Sequence, residues 1–274
     1  MKQLRVGVIG GGNMARALIE GLLRQGLPPG QIRVGEPLAA LCAALEQTLG
    51  VEAGEDNNYA IAGADVVLLA VKPQQLAGVA QALHASLDSV QPVFVSIAAG
   101  IRLAELAGWL PHSPLVRAMP NRPALVGAGV TGLFAPAQVS GAQRALAEQT
   151  LSAVGRTVWV RSEAELDVVT ALSGSGPAYF FLLAEHLAAA GVALGLAPET
   201  AQLLASETLH GAGRLTQSGL GLAAERSAVT SKGGTTEAAL DALARAEFKG
   251  IVQQAVAAAA RRGAELGELA SAKR

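Results

Sequence analysis

A glycine-rich stretch near the C-terminal end has the residue types of a site that binds a small carboxylate. Residues 229–237 read Val-Thr-Ser-Lys-Gly-Gly-Thr-Thr-Glu, and an apolar run typical of a helix follows them. Adjacent glycines permit backbone conformations that other residues avoid, and Thr-Thr-Glu can open a helix. Free N–H groups at a helix N-terminus bind anions with the help of the helix dipole. The stretch is either such a carboxylate cradle or a simple glycine-rich helix cap.

A second stretch, close to the start of the chain, has the spacing of a dinucleotide-binding turn. It runs from Gly10 and Gly12 through Asn13 and Met14 to Ala15, between a β-branched run and a helical pattern. In this G-x-G-x-x-A pattern the first glycine makes the turn and the second lets the pyrophosphate approach the backbone. The small last residue lets the helix pack closely on the strand. These residues are predicted to bind a dinucleotide cofactor.

Glu36 follows the second predicted strand, residues 31–35. It lies at about the distance from the G-x-G-x-x-A pattern at which an acidic residue binds a ribose 2′-hydroxyl. That position favours NADH. A carboxylate there would repel the 2′-phosphate of NADPH unless it turned away, so the residue alone leaves the cofactor preference open.

Three later strands are predicted to end beside the cofactor, because ligands of doubly wound sheets lie beyond the carboxyl ends of the strands. The residues at these ends are Ala70, Val71, Lys72 and Pro73, then Ala98, and finally Asn121, with Arg117 shortly before it. Lys72 has an alternative interpretation as a solvated helix cap. The small side chain of Ala98 would permit close approach of a flat ring.

The elements that position these residues form two predicted domains. Strands and helices alternate up to Val160, which predicts a doubly wound sheet that is parallel in its early part. Strand signals then vanish, and helices are predicted at 165–172, 178–194, 198–217, 236–244 and 246–269. The predicted fold is an α/β dinucleotide-binding domain, residues 1–162, followed by an all-helical domain, residues 163–274. The segment 179–183 is hydrophobic around its whole circumference, which predicts burial on all sides at a subunit interface.

Composition excludes several classes of partner and chemistry. The chain has 274 residues and a net charge of -1. It therefore lacks the excess positive charge that would attract nucleic acid or an anionic membrane. We expect a cytoplasmic protein, because no apolar run approaches the roughly 18 residues of a membrane span. Cys42 is the single cysteine, which excludes an internal disulfide, and a buried structural thiol is expected there. The four histidines have no ligand spacing, so no metal site is expected.

Residues 173–177, Ser-Gly-Ser-Gly-Pro, lie between two predicted helices. They form either a simple break between two helices or a closely fitting wall of a site that binds a small ring-shaped ligand. The carboxylates of the chain form no convincing acid/base pair. A hydride transfer to a substrate that is already protonated would need none.

Six motifs in order resemble those of pyrroline-5-carboxylate reductase over essentially the whole chain. They are Gly11-Gly12-Asn13-Met14-Ala15, residues 70–74 (AVKPQ), 96–101 (SIAAGI), 117–123 (RAMPNRP), 172–179 (LSGSGPAY) and 231–236 (SKGGTT). The first motif is shared by many dehydrogenases, whereas the last two are specific to that family.

The resemblance implies a Rossmann-type domain with an all-α dimerisation domain, and reduction of L-1-pyrroline-5-carboxylate to L-proline by NADPH or NADH. It implies a homodimer with interlocked C-terminal helices, and dimers that often assemble into a decamer. Amides around Gly234, Thr235 and Thr236 would hold the substrate carboxylate, and the Thr236 hydroxyl would contact the ring nitrogen. The residues bordering the substrate would be Ser173, Ser175, Gly176, Val229 and Gly233, and Asn57 would contact the cofactor ribose.

Two departures from the family pattern affect these expectations. Lys232 stands where the family usually has proline, which alters the rigidity and charge at the entry to the cradle. Glu36 stands where NADPH-preferring members commonly have a residue that accepts the 2′-phosphate, so family habit favours NADPH and local electrostatics favour NADH. The alternatives are another NAD(P)H-dependent imine or hydroxyacid reductase, and a dinucleotide-binding regulator without chemistry.

Overall fold

The computed structural model describes residues 4–85, 87 and 92–272, with side chains as far as Glu268. Eight strands form one sheet in the order β3-β2-β1-β4-β5-β6-β7-β8. All neighbouring strands pair in parallel except β6 and β7, which are antiparallel. The strands are β1 (Val6–Ile9), β2 (Ile32–Gly35), β3 (Glu52–Gly54), β4 (Val66–Leu69), β5 (Val93–Ser96), β6 (Leu115–Met119), β7 (Gly129–Phe134) and β8 (Gly155–Trp159).

Six α-helices occur between the strands, and the rest follow the last strand. The first six are α1 (Asn13–Arg24), α2 (Ala39–Leu49), α3 (Asn57–Ile61), α4 (Pro73–His84), α5 (Leu103–Trp109) and α6 (Gly141–Leu151). The others are α7 (Glu165–Val169), α8 (Gly176–Ala193), α9 (Pro198–Leu215), α10 (Leu222–Ala228), α11 (Thr235–Arg245) and α12 (Phe248–Ala272). A π-helical turn, Thr170–Gly174, follows α7 directly. The predicted doubly wound α/β sheet followed by an all-helical region is thereby confirmed.

The central strands are buried on both faces, as parallel strands between two helical layers must be. In β4, Val66 and Leu68 belong to a core cluster that includes α1 and α6 residues, whereas Val67 and Leu69 belong to a cluster with α4 and α5 residues. The continuous apolar run of the sequence is therefore explained by burial on both sides.

Two compact units can be distinguished. The described residues up to Gly174, together with those from Ala259, form the first, and Ser175–Ala258 form the second. The first unit thus extends past the predicted boundary at residue 162 and also contains the end of α12. The division into residues 1–162 and 163–274 stays a prediction.

The helical run Glu165–Ala193 corrects the expectation that no segment has the length and apolarity of a membrane span. It is 29 residues long with a mean hydropathy of 1.3 in its most apolar window, and only 17% of that window is buried. Length and composition are weak evidence for a span, because apolar helices of soluble proteins pass the same test. Residues 179–183 are predicted to be buried at a subunit interface. In the single chain Phe180 and Phe181 are each 59% exposed, so that burial stays a prediction.

Candidate functional site

The carboxyl ends of the parallel strands form the edge at which the predicted cofactor residues meet. Ile9 pairs with Leu69, and Leu69 pairs with Ser96, so the three strands end at the same level. Gly10, Ala70 and Ala98 follow these ends directly or after one residue. The sheet register therefore brings together residues that are up to 88 positions apart, from 10 to 98, at the edge where such sheets bind ligands.

The turn after β1 has the features that a pyrophosphate needs. Gly10 has φ +98, and a Cβ there would lie 3.0 Å from the carbonyl oxygen of Ala70, so glycine is required. Gly12 is the N-cap of α1, and a Cβ added to it would meet nothing within 4 Å. The first amide bonded within the helix is that of Arg16, to the Gly12 carbonyl at 2.9 Å. The amides of residues 13–15 have no partner within the described part of the chain, which leaves them free for an anion.

Ala15 and Met14, which follow this turn, pack against the hydrophobic core. Ala15 is 1% exposed and belongs to the core, and Met14 packs against the same cluster. The small side chain of Ala15 thus permits the close packing of helix and strand that the sequence pattern predicts, while Asn13 remains exposed.

Glu36 is buried and its carboxylate is held by the main chain. Its Oε2 accepts a hydrogen bond from Gly11 N at 2.7 Å, and its Oε1 accepts one from Leu38 N at 3.1 Å. The carboxylate therefore lies directly against the glycine turn. An anionic group at this place would face the ribose end of a bound dinucleotide.

Asn57, the first residue of α3, offers a buried acceptor without a partner. Its Oδ1 has no hydrogen-bond partner among the described residues, and it would lie 2.4 Å from a Cβ on Gly35. A buried unpaired acceptor is costly, and a ribose hydroxyl would satisfy it. This orphaned atom and the open space at Gly12 show that the residues of the edge fit a dinucleotide.

The segment after β4 begins a helix rather than a loop. Lys72 is the N-cap of α4 and is exposed, and Pro73 occupies the first turn, where its missing N–H costs nothing. Both interpretations of Lys72 are thus compatible with its position. Whether it or Val71 contacts a cofactor stays a prediction.

Asn121 and Arg117 are engaged within the protein. Asn121 Nδ2 donates to the carbonyl of Ser173 at 3.1 Å, and its Oδ1 accepts from Val130 N at 2.9 Å. Arg117 is 4% exposed, and its guanidinium donates to Glu163 Oε1 at 3.0 Å. Arg117 is therefore a structural cation, whereas contact of Asn121 with the cofactor stays a prediction.

An ion-pair cluster around Arg117 could not be found from the sequence. Arg102 Nη2 donates to Asp167 Oδ2 at 2.8 Å, Leu103 N donates to Glu163 Oε1 at 2.7 Å, and Asp167 Oδ1 lies 3.9 Å from Arg117. Arg117 and Glu163 are 46 positions apart, and Arg102 and Asp167 are 65 positions apart. No short sequence pattern can therefore indicate these ion pairs.

The predicted carboxylate cradle is built as a helix N-terminus. Gly233 adopts φ +73, and its N–H donates to Glu237 Oε2 at 2.6 Å. Gly234 is the N-cap of α11, and the first helical bond runs from Ala238 N to its carbonyl at 3.2 Å. The amides of residues 235–237 have no partner within the described part of the chain. Such free donors at a helix N-terminus can bind an anion, and the binding of a carboxylate here stays a prediction.

One detail of the cradle differs from the expectation. The amide of Gly234 is already bonded to the carbonyl of Ser231 at 3.0 Å, so it is not free for a ligand. The third free donor is the amide of Glu237 instead. Thr236 is half-buried on the first turn of α11, and Val229, five residues before the N-cap, is 61% exposed.

The other predicted substrate residues lie around the break before α8. Ser173 belongs to the π-helical turn, and its hydroxyl donates to the Val169 carbonyl at 2.9 Å. Ser175 is the N-cap of α8, and Gly176 is its first residue and buried. Their contact with a substrate stays a prediction.

A groove of about 590 Å³ lies beside the cradle in the second unit. It shares Thr230 and Glu237 with the loop but is lined mainly by Arg226, Asp241, Phe248 and Lys249. Thr235 and Thr236 do not line it, whereas Glu237, whose amide is the third free donor of the cradle, does. No group of three histidine, cysteine, aspartate or glutamate side chains placed to hold a metal is found in the part of the chain that the structure describes.

Comparison with known proteins agrees with this geometry. The sequence family described as pyrroline-5-carboxylate reductase dimerisation matches residues 163–266, and the family described as NADP oxidoreductase, coenzyme F420-dependent, matches residues 5–100. A pyrroline-5-carboxylate reductase of Pseudomonas aeruginosa is 48% identical over 270 residues, which cover 98% of both chains.

Solved structures show the same relationship. A pyrroline-5-carboxylate reductase from Coxiella burnetii superposes with a TM-score of 0.93 at 40% identity, over 97% of this chain and 99% of that one. The pyrroline carboxylate reductase of Plasmodium falciparum, crystallised with NADP, has a TM-score of 0.81 at 26% identity, over the same shares. These relatives favour a catalytic oxidoreductase over a regulator. The chain belongs to the pyrroline-5-carboxylate reductase family of NAD(P)H-dependent oxidoreductases, with a Rossmann-type nucleotide-binding domain and a dimerisation domain that supports oligomer formation.

Proposed function

We propose that this chain reduces L-1-pyrroline-5-carboxylate to L-proline, the last step of proline biosynthesis, in the cytoplasm. The observation that carries the proposal is the set of three unpartnered amides at the N-terminus of α11, beside the Thr236 side chain. A bound nicotinamide cofactor supplies the hydride.

The cradle binds the substrate through its carboxylate. Amides of Thr235, Thr236 and Glu237 donate to the carboxylate oxygens, and the positive end of the helix dipole adds to the attraction. The Glu237 carboxylate would oppose an anion, but it is turned back onto Gly233 N. The exposed Lys232 adds a positive charge close to this turn.

Thr236 orients the ring. Its hydroxyl oxygen accepts a hydrogen bond from the protonated ring nitrogen, which fixes the orientation of the imine carbon. The imine loses its positive charge during hydride transfer, so no general acid is needed at that step. Positioning of this kind can lower the barrier by roughly 7–11 kcal/mol at best.

The cofactor is held by the edge of the sheet. Amides of residues 13–15 bind the pyrophosphate, Asn57 Oδ1 accepts from a ribose hydroxyl, and Ala70 to Pro73 and Ala98 border the nicotinamide side. NADPH is the proposed reductant, with NADH as a second substrate of the same site. The NADP-bound relative supports NADPH, as do the two main-chain donors that partly offset the charge of Glu36.

The active form is proposed to be a homodimer with interlocked C-terminal helices, which can assemble further into a decamer. Support comes from the dimerisation family match and from the exposed apolar side chains of α8, including Phe180, Phe181 and Leu187.

The test is the loss of NADPH or NADH absorbance in the presence of pyrroline-5-carboxylate, together with chemical detection of proline. Wild-type protein should consume cofactor only when the imine is added. Thr236→Ala should lower kcat/KM by about tenfold to a hundredfold, the effect of losing one hydrogen bond to a charged group, and Thr236→Ser should restore most of it.

Two outcomes would contradict the proposal. Cofactor binding without imine-dependent oxidation would remove the reductase function and favour a regulator. Wild-type rates from Thr236→Ala would remove the role of that hydroxyl while leaving the reaction intact.

A further inference from the structure

Asn121 connects the end of β6 to a segment 52 positions later in the chain. It is 8% exposed, and both ends of its amide bind main-chain groups, the Ser173 carbonyl and the Val130 N–H. A buried amide that bridges two backbone segments fixes their distance, because breaking either bond leaves a polar group unpaired.

The segment it holds is irregular. Ser173 lies in the π-helical turn Thr170–Gly174, where the regular ladder of helical hydrogen bonds is interrupted, a feature frequent at functional sites. The Ser173 hydroxyl is bonded back to Val169, so the contact with β6 is made by the main-chain carbonyl alone.

Met119 restrains the same peptide through packing. A Cβ added to Gly174 would lie 3.0 Å from Met119 Cε, closer than ordinary van der Waals contact. The Ser173 carbonyl is thus held by a hydrogen bond from Asn121, and the Met119 methyl group occupies the space in which a side chain at position 174 would begin. Met119 is the last residue of β6, and Asn121 follows it after one proline.

We propose that Asn121 is a positioning residue for the substrate, acting through the Ser173 carbonyl on the wall formed by residues 173–177, and is not a ligand of the cofactor. The inference rests on the proposed function and on the predicted assignment of Ser173 and its neighbours to the border of the imine ring. It assigns the Met-Pro-Asn motif to the substrate side of the reaction, although the motif ends a strand at the cofactor edge.

The test separates substrate binding from cofactor binding. Asn121→Asp keeps an acceptor for Val130 N but places a carboxylate oxygen against the Ser173 carbonyl. We expect the KM for the imine, and the Kd of L-proline for the enzyme with oxidised cofactor, to rise about tenfold. The Kd of NADPH, measured by fluorescence, should change less than about twofold.

A second variant and a matched control complete the design. Gly174→Ala disturbs the same peptide from the Met119 side and should raise the same two constants without weakening NADPH binding. Thr150→Val removes a buried hydrogen bond of 2.8 Å to the Leu146 carbonyl in α6, and it should lower thermal stability while leaving the imine KM unchanged.

A rise in the NADPH Kd with an unchanged imine KM would overturn the inference and make Asn121 a cofactor ligand. Unchanged constants in both Asn121→Asp and Gly174→Ala would also overturn it. If the wild-type protein neither reduces the imine nor binds L-proline, the proposed function is refuted. That result comes from the wild-type protein alone and does not depend on the variants.

Discussion

Glu36 is the residue that we expect to influence the choice between NADPH and NADH. Its buried carboxylate accepts from Gly11 N and Leu38 N, so a 2′-phosphate bound nearby would be repelled by a charge that cannot move freely into solvent. Glu36→Gln removes the charge and keeps the shape. We expect the ratio of kcat/KM for NADPH to that for NADH to rise about tenfold.

The exposed Glu46 provides the control for Glu36. Glu46→Gln makes the same change of charge on the outer face of α2 and should leave the ratio unchanged. Equal ratios for wild type and Glu36→Gln would show that the carboxylate has no part in cofactor choice.

Cys42 should behave as a buried structural thiol. Its Sγ donates to the Glu36 carbonyl at 3.1 Å, and burial, followed by the nearby charges of Glu36, Glu55 and Glu46, raises the pKa of the thiol. We expect the native protein to react with a thiol reagent at pH 8 far more slowly than the unfolded protein, which should give one equivalent. Rapid reaction of the native chain would show that the thiol is accessible.

The raised pKa of Cys42 also determines the direction in which the free energy of unfolding changes with pH. As the pH rises past the ordinary thiol value, the unfolded chain loses a proton that the native chain retains. The unfolded state is then favoured, so the free energy of unfolding should fall between the unfolded and the native pKa. Urea unfolding of wild type and Cys42→Ala at pH 7 and pH 10 measures the effect, which should be absent from the variant.

For individual residues, the sequence predicts which residue types form the site better than it predicts their hydrogen-bond partners. Gly10, Gly12 and the Gly233–Thr236 stretch were identified because their spacing requires particular backbone conformations. The bond from Gly234 N to Ser231 and the capture of the Glu36 carboxylate by Gly11 N depend on how each turn closes, which spacing alone does not determine.

Among the elements, the entry to α7 is held by buried charges. Arg117 is bonded to Glu163, and Arg102 to Asp167, so removing Arg117 leaves two half-buried carboxylates with one cation fewer. We expect Arg117→Met to lower the free energy of unfolding by about 3–5 kcal/mol, because breaking a buried pair strands its partner.

The exposed pair nearby tests whether burial is the reason. Arg161 contacts Glu165 at 3.0 Å, but its side chain is 92% exposed, so Arg161→Ala should cost less than about 1 kcal/mol. Chemical denaturation of both variants compares them. Similar losses would contradict the claim that burial makes the Arg117 cluster important.

The long periodic elements were predicted well and the short ones were not. Strands β1, β4 and β5 follow from apolar runs, whereas α3, α5 and α10 have only five to seven residues each and give little periodicity. The π-helical turn before α8 has no periodic signature in the sequence, and its bond to Asn121 joins residues 52 positions apart.

For the whole molecule, the apolar surface of α8 predicts association. Phe181 is 59% exposed and Leu187 is 55% exposed, and side chains of this size gain about 1.5–3 kcal/mol each on full burial. Phe181→Glu should shift the protein toward monomer in sedimentation analysis and reduce activity at low concentration.

Glu46→Gln is the control, because it changes an exposed charged side chain on α2, in the first unit, and should leave the assembly unchanged. A Phe181→Glu variant with the wild-type sedimentation coefficient would show that this face of α8 is not the interface. The sequence predicts this interface because a helix that is apolar around its circumference exposes a large apolar surface in a monomer.

The most direct test of the account follows the hydride itself. Wild-type protein is supplied with NADPH carrying deuterium at the transferable position of nicotinamide C4, together with L-1-pyrroline-5-carboxylate, and the proline is analysed by mass spectrometry and NMR. We expect L-proline with one deuterium at the former imine carbon. Unlabelled proline, or consumption of cofactor without proline, would contradict it.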